Sequence, residues 1–270
     1  MTMLRRRSRR PKPDVRKPAP PPVVETKGRR RPRPGAVVPP ELLIPEETTP
    51  QAKAPRANVV LVTGFEPFGG EAANPSWEIC KLLPATIGRA RIETLQVPCR
   101  FLTSIETVAE AIERLRPSLV VCIGQAGGRD RLSIERVGIN IDDARAADNG
   151  GERPVDEAIA PNGPPAYFAT LPIKAMARAV REAGVPAEVS NTAGTFVCNH
   201  LLYGVLHFIA ASGHATRAGF IHVPYADAQV LDKPGQPSMS VAAMARGIEA
   251  AVTAALAHKT DTKISEGRET

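Results

Sequence analysis

Short apolar runs and 3.6-residue periodicity take turns along residues 58–123, in the order strand, helix, strand, helix, strand. Asn58-Val-Val-Leu-Val-Thr63 is a continuous apolar run closed by Gly64, the pattern of a strand buried on both faces. Pro75–Leu83 predicts a first helix, with Asn74 as N-cap and Pro75 at the first helical position. Arg91–Val97 predicts a strand, and Leu102–Leu115 an amphipathic helix stopped at Arg116-Pro117. Ser118–Ile123 is a third strand, closed by Gly124. From Leu132 to Ile141, Ile134, Ile139 and Ile141 sit among polar residues, which predicts a strand with one solvent face. Residues 142–165 are rich in Asp, Gly, Asn and Pro and predict a loop too long to be an idle connector. A helix at Ile173–Ala183, a strand at Ala187–Ser190, a helix at Cys198–Ser212 and a strand at Ala218–Val223 follow. An Ala-rich amphipathic helix at Ser240–Ala257, capped by Ser238 or Ser240, comes last. The alternation predicts a three-layer α/β/α fold, a mostly parallel twisted sheet flanked by helices.

Charge divides the chain. Residues 1–57 hold fifteen Lys and Arg against five acids, a net of +10; because the whole chain is +7, the remainder carries −3. The same segment has thirteen prolines and no aromatic residue, so it is expected to be a disordered or polyproline-like extension. It is either a dispensable extension or an electrostatic tether to nucleic acid or another acidic surface. No apolar stretch follows Arg5–Arg10 as a signal peptide requires, and none approaches the roughly 18 residues of a membrane span, so a soluble, cytoplasmic body is expected. Three segments result: the basic extension 1–57, a folded body 58–258 and a polar C-terminal tail 259–270.

Four loops at strand ends gather residue types that do chemistry. Cys198 follows Asn191-Thr-Ala-Gly-Thr-Phe-Val197 and opens an apolar helix; a helix N-terminus favours a thiolate, although a lone cysteine is more often buried packing. Gly64-Phe-Glu-Pro-Phe-Gly-Gly70 lacks the spacing of a phosphate loop; Phe65 and Phe68 either wall a small ligand or plug the core. Gly124-Gln-Ala-Gly-Gly128 brings backbone close to whatever binds there. His222, at an apolar strand end, is a packed core histidine or a base for Cys198; His200 is two residues from Cys198 on the helix and therefore faces elsewhere. Glu135 and Arg145 taken alone read as surface charges. The cysteines Cys80, Cys99, Cys122 and Cys198 form no C-x-x-C pair; neither a metal site nor a disulfide framework is expected, and Cys80 and Cys99 read as ordinary thiols.

Together these segments resemble the pyroglutamyl peptidase I family of cysteine peptidases, also called pyrrolidone carboxyl peptidases. The resemblance is carried by Thr63–Gly70 with Asn74-Pro75-Ser76, Ile134–Asn140, Asp148-Asn149-Gly150, Asn191–His200 and Gly219–Tyr225, and runs from about Asn58 to about His258. It implies removal of an N-terminal pyroglutamyl residue from peptides, without a cofactor or metal. Cys198 would be the nucleophile, His222 the base and Glu135 the residue that orients it, favouring a thiolate–imidazolium pair. Arg145 would serve the oxyanion site with the Cys198 N–H. Phe65, Phe68 and Phe196 would pack on the lactam ring, with the Gln125 backbone at its polar edge. A homotetramer is also implied. The chain departs from the family at Ala146-Ala147, where Ile-Pro is usual, which predicts a roomier ring pocket and weaker substrate binding. The alternatives are a catalytically weak relative that binds modified peptides or binds or hydrolyses another lactam or amide, and a nucleic-acid-associated protein working through the basic extension.

Overall fold

The computed structural model of the chain describes residues 54–55 and 58–267. The expectations for the basic extension therefore fall outside the described residues, Ala54 and Pro55 excepted. In chain order the elements are β1 (Val59–Phe65), α1 (Pro75–Leu82), β2 (Thr86–Ile87), β3 (Ala90–Val97), α2 (Thr103–Leu115), β4 (Leu119–Gln125) and β5 (Leu132–Glu135). There follow β6 (Val137–Ile139), β7 (Ala166–Phe168), α3 (Ile173–Glu182), β8 (Ala187–Ser190), α4 (Val197–Ser212), β9 (Arg217–Val223), a 3-10 turn (Asp227–Val230) and α5 (Val241–Ala257).

Seven strands form one sheet in the order β2-β3-β1-β4-β9-β5-β8, and β6 and β7 pair as a separate antiparallel ladder. The β1–β3, β1–β4, β4–β9 and β5–β8 pairs are parallel; β2–β3 and β5–β9 are antiparallel. Alternation along the strands sorts side chains into two cores. Val60, Val62, Val121 and Ile123 face α1, α3 and α5. Leu61, Phe65, Val120 and Cys122 face α2 and α4. Each such aliphatic side chain, fully buried, contributes roughly 1.5–3 kcal/mol. That double burial is why β1 and β4 read as unbroken apolar runs rather than alternating ones.

Local chemistry fixes the helix ends. The Asn74 side chain accepts the Ser76 N–H at 3.1 Å and Pro75 occupies the first position of α1. Of the two serines considered for α5, Ser240 is the cap, accepting from the Ala243 N–H. Helix α2 begins one residue late because Leu102 takes φ 59, ψ −61. Its N–H is committed to the His200 ring instead of continuing a helix.

Two expectations change. Strand β4 runs through Gly124 to Gln125 rather than stopping at the glycine, because the ladder to β9 continues there. The alternating segment 132–141 is not one half-exposed strand: it breaks at Arg136, and all four residues of β5 are buried. The polar Ser133 and Glu135 do not face solvent; Ser133 donates to Glu188 and Glu135 is partnered internally. The polar C-terminal segment is tied to α3. Asp261 accepts the Lys174 and Ala175 N–H groups, each at 3.1 Å, which α3 cannot satisfy from Pro172 at its own N-cap position.

Candidate active site

Helix α4 presents Cys198 in its first turn. Gly194 turns the chain at φ 78, Thr195 Oγ1 donates to the Asp143 carbonyl at 2.7 Å, and Phe196 is extended just before the helix. No side chain caps this end, so the first-turn N–H groups are left for another acceptor. Gly124 makes room for the sulfur: a Cβ there would lie 2.9 Å from Cys198 Sγ and 2.6 Å from Phe220 Cζ. Gly124 is also the ladder partner of His222. The thiol thus rests over β4, one strand from the imidazole.

His222 is buried, its ring centroid 4.8 Å from that of Phe220. Its Nδ1 lies 2.8 Å from Glu135 Oε1. An ionised carboxylate only accepts, so Nδ1 carries the proton and Nε2 of the neutral ring is an acceptor. Nε2 forms no hydrogen bond with a described residue. Glu135 is wholly buried, and the same Oε1 receives Arg129 Nη1 at 2.7 Å. Arg129 Nη2 donates to the Thr192 carbonyl at 3.1 Å. Arg129 was not singled out from the sequence; its only signal is its place after Gly127-Gly128, among residues that read as loop.

Burial sets the charge state. It pushes the Cys198 thiol up to about 12, with repulsion from Glu135 adding to it and Arg129 opposing it. Burial also lowers the His222 pKa, against the pull of Glu135. Both shifts favour a thiol beside a neutral imidazole over the expected thiolate–imidazolium pair.

Next to the sulfur lies a cavity of about 80 Å³ lined by Phe65, Phe68, Asn74, Cys99, Gln125, Phe196 and Cys198. Four of the expected binding residues are thus brought together with the thiol. The Phe68 and Phe196 rings stand 5.2 Å apart, tilted by 48°. Asn74 and Cys99 were not foreseen as lining; Cys99 is a buried thiol in the wall. Gln229 Nε2 donates to Gln125 Oε1 at 3.0 Å and so fixes that side chain. Larger cavities, such as one of about 490 Å³ between α3 and α5, have no thiol in their walls; one of about 510 Å³ includes the His200–Asp142 pair, again without a thiol.

The other residues separate cleanly. His200 has both nitrogens engaged, Nδ1 with Asp142 Oδ2 at 2.6 Å and Nε2 with the Leu102 N–H at 2.7 Å, so it braces the α2 start. Arg145 is exposed and forms no hydrogen bond or ion pair with any described residue; nothing ties it to the Cys198 end as expected. Ala146 and Ala147 are likewise exposed and do not line the ring cavity, so the anticipated widening is not seen. The loop is held instead by Asp148, which accepts the Phe101 N–H at 2.7 Å and the Gly150 N–H at 2.7 Å. Among the described residues no cluster could hold a metal ion.

A family model described as pyroglutamyl peptidase matches residues 58–258. The chain belongs to the pyroglutamyl peptidase family. It is 52% identical over 211 residues to a pyrrolidone-carboxylate peptidase of Cupriavidus taiwanensis, covering 77% of this chain and 98% of that protein. A Bacillus cereus pyrrolidone-carboxylate peptidase is 53% identical over 194 residues, covering 72% and 90%. Among solved structures, pyroglutamyl peptidase I from Bacillus amyloliquefaciens superposes with a TM-score of 0.75 at 44% identity, covering 77% of this chain and 99% of that one. A mutant pyrrolidone carboxyl peptidase from Pyrococcus furiosus gives 0.71 at 42% identity, covering 74% and 98%. The family model's match leaves residues 1–57 outside it and spans the body that carries the thiol, the imidazole and the buried carboxylate.

Proposed function

We propose that the protein is a cysteine peptidase that hydrolyses the amide bond after an N-terminal pyroglutamyl residue. The observation that carries this reading is the 2.8 Å bond from His222 to the buried Glu135, one strand from a thiol that borders an apolar cavity. Cys198 is the nucleophile, His222 the base and Glu135 the residue that fixes the imidazole tautomer.

The chemistry follows from the resting charges. As the substrate carbonyl enters, His222 Nε2 takes the Cys198 proton while sulfur attacks the carbonyl carbon. The tetrahedral oxyanion is met by first-turn N–H groups of α4, Cys198's own among them; losing one such donor typically costs about 3 kcal/mol. Collapse breaks the C–N bond, and His222 gives its proton to the leaving amine. Water, deprotonated by His222, then attacks the thioester carbonyl; the C–S bond breaks, sulfur takes the proton back from His222, and pyroglutamate is released. Phe65, Phe68 and Phe196 suit the uncharged lactam ring, with Gln125 and Asn74 as polar neighbours. A free amino terminus entering this cavity would be desolvated without a counter-charge, so unmodified peptides are excluded.

The homotetramer, the cytoplasmic location and a role for Arg145 at the oxyanion belong to the same proposal. Leu102, Val155 and Phe168 are large apolar side chains exposed on the single chain and support self-association. No helix among the described residues is long and apolar enough to cross a membrane. The test is hydrolysis of a fluorogenic pyroglutamyl amide beside its free-amino glutamyl and prolyl counterparts. Only the first should turn over, and Cys198→Ala or iodoacetamide should abolish it. Turnover that survives Cys198→Ala rules the mechanism out.

A further inference from the structure

The geometry points to Arg129 as a positioning residue for this site, a cation that holds Glu135 to His222 and ties both to the backbone leading into Cys198. The inference rests on the peptidase reading above. One guanidinium makes both links: Nη1 to Glu135 Oε1 at 2.7 Å, and Nη2 to the Thr192 carbonyl at 3.1 Å. Thr192 lies on the segment that joins β8 to α4, six residues before the thiol. The oxygen held by Arg129 is the one that orients His222, while the other carboxylate oxygen, Oε2, is buried without a partner. Arg129 and His222 are therefore the hydrogen-bonding partners that hold this carboxylate among the described residues.

The charges packed around the carboxylate show why a cation belongs there. His222 faces it from β9, and Cys198 on α4 lies close enough to interact with it electrostatically. On β8, Glu188 accepts from the Ser133 hydroxyl. On the loop itself, Asp130 is engaged by Arg131. Arg129 is thus the positive charge that offsets a buried negative one, and burying a carboxylate beside a neutral imidazole alone is costly. A planar fork also reaches two acceptors on different segments at once, which an ammonium does less well.

Arg129 does not line the ring cavity. Its outer side borders a separate cavity of about 400 Å³, shared with Gly128, Asp130, Glu188, Ser190 and Thr192. A small cation from solvent can reach the place its guanidinium occupies, which makes the role open to chemical rescue.

The experiment uses the full chain, with Arg129→Lys, Arg129→Met and Arg129→Ala compared with wild type on a pyroglutamyl amide. Arg129→Met should lose kcat by about 10²-fold, the scale of a misplaced catalytic group, with KM changed by no more than about 3-fold. Arg129→Lys should fall between. Arg129 is among the charges that lower the His222 pKa, so its loss should carry the acid limb of the pH–rate profile to higher pH. Guanidinium at non-denaturing concentration should restore at least part of the Arg129→Ala loss; sodium chloride at equal ionic strength should not. Iodoacetamide labelling of Cys198 reads the same effect without turnover: it should slow in Arg129→Met, since Arg129 favours the thiolate. Wild-type kcat in Arg129→Met, or a loss that follows Tm with an unmoved acid limb and no rescue, overturns the inference. Should wild type itself not cleave the amide, the peptidase reading falls, and unchanged labelling in Arg129→Met would then remove the Arg129 role as well.

Discussion

Gly124→Ala probes the seat of the sulfur more directly than replacing the sulfur does. The added Cβ would lie 2.6 Å from Phe220 Cζ and 2.9 Å from Cys198 Sγ. Ordinary contact needs about 3.7 Å, so the thiol must move by roughly 0.8 Å or the strand must bend. Phe220 cannot yield freely, because its ring packs on Phe65 and His222. Overpacking of this kind costs about 1–3 kcal/mol, equivalent to a Tm fall of roughly 2–12 °C for a body of this size. A displacement near 1 Å at a nucleophile costs about 10²-fold in rate. The expected result is therefore a folded protein with kcat down by about 10²-fold and a smaller change in KM, since the ring walls Phe68 and Phe196 stand on other loops. Steady-state hydrolysis of a pyroglutamyl amide, beside circular-dichroism melting, measures both. Wild-type kcat in a folded Gly124→Ala protein would show that the sulfur does not react from over β4.

Other consequences are quicker to state. A thiol held near 12 should be alkylated by iodoacetamide at a rate that rises about tenfold per pH unit up to pH 9; a plateau from acid pH onward would reveal a resting thiolate. Burial lowers the His222 pKa below its ordinary 6.5, so the buried imidazole resists protonation in the fold. The stability this contributes is present above pH 6.5 and lost as pH falls through the folded value; the acid limb of kcat/KM should lie below 6.5, and a limb above it would contradict the neutral base. His200→Gln should lower stability by about 3 kcal/mol, because it strands the buried Asp142, yet leave kcat within a few fold. Asp261→Ala should cost about 1 kcal/mol and about 2–4 °C in Tm with activity unchanged, as the loss of a helix cap does.

The strands and helices were legible because their burial is simple. Strands β1 and β4 are buried on both faces and read as apolar runs; α1 and α5 carry caps one residue before their first turn. What misled was polarity that is satisfied inside. Glu135 looks like the solvent side of an alternating strand, and only its partners on β9 and on the loop after β4 make burial tolerable. Those partners are 87 and 6 residues away, so no local pattern announces them. The same holds for Asp261, whose acceptor role on α3 depends on a chain return 87 residues long. His200 was separable from His222 by helical geometry alone, and its two hydrogen bonds give the positive reason for its position.

The charge state of the thiol is where a correct local argument loses to a larger distant term. A helix N-terminus favours an anion by about 0.3–1 kcal/mol, less than one pKa unit. Raising the thiol from 9.0 to about 12 corresponds to about 4 kcal/mol, and its largest cause is desolvation beneath the loops that build the cavity. Desolvation is therefore the larger of the two effects at this thiol. The same burial keeps His222 neutral and able to accept a proton. Activation must then come with the substrate: an oxyanion formed at the first turn of α4 recruits the dipole that was too weak to ionise sulfur alone, while Glu135 stabilises the imidazolium that forms at the same moment. A site built this way reacts slowly with other electrophiles near neutral pH and fast with an amide that places its carbonyl at the helix end. That is the arrangement expected of an enzyme whose specificity lies in which terminus can enter the cavity, rather than in a permanently activated thiolate.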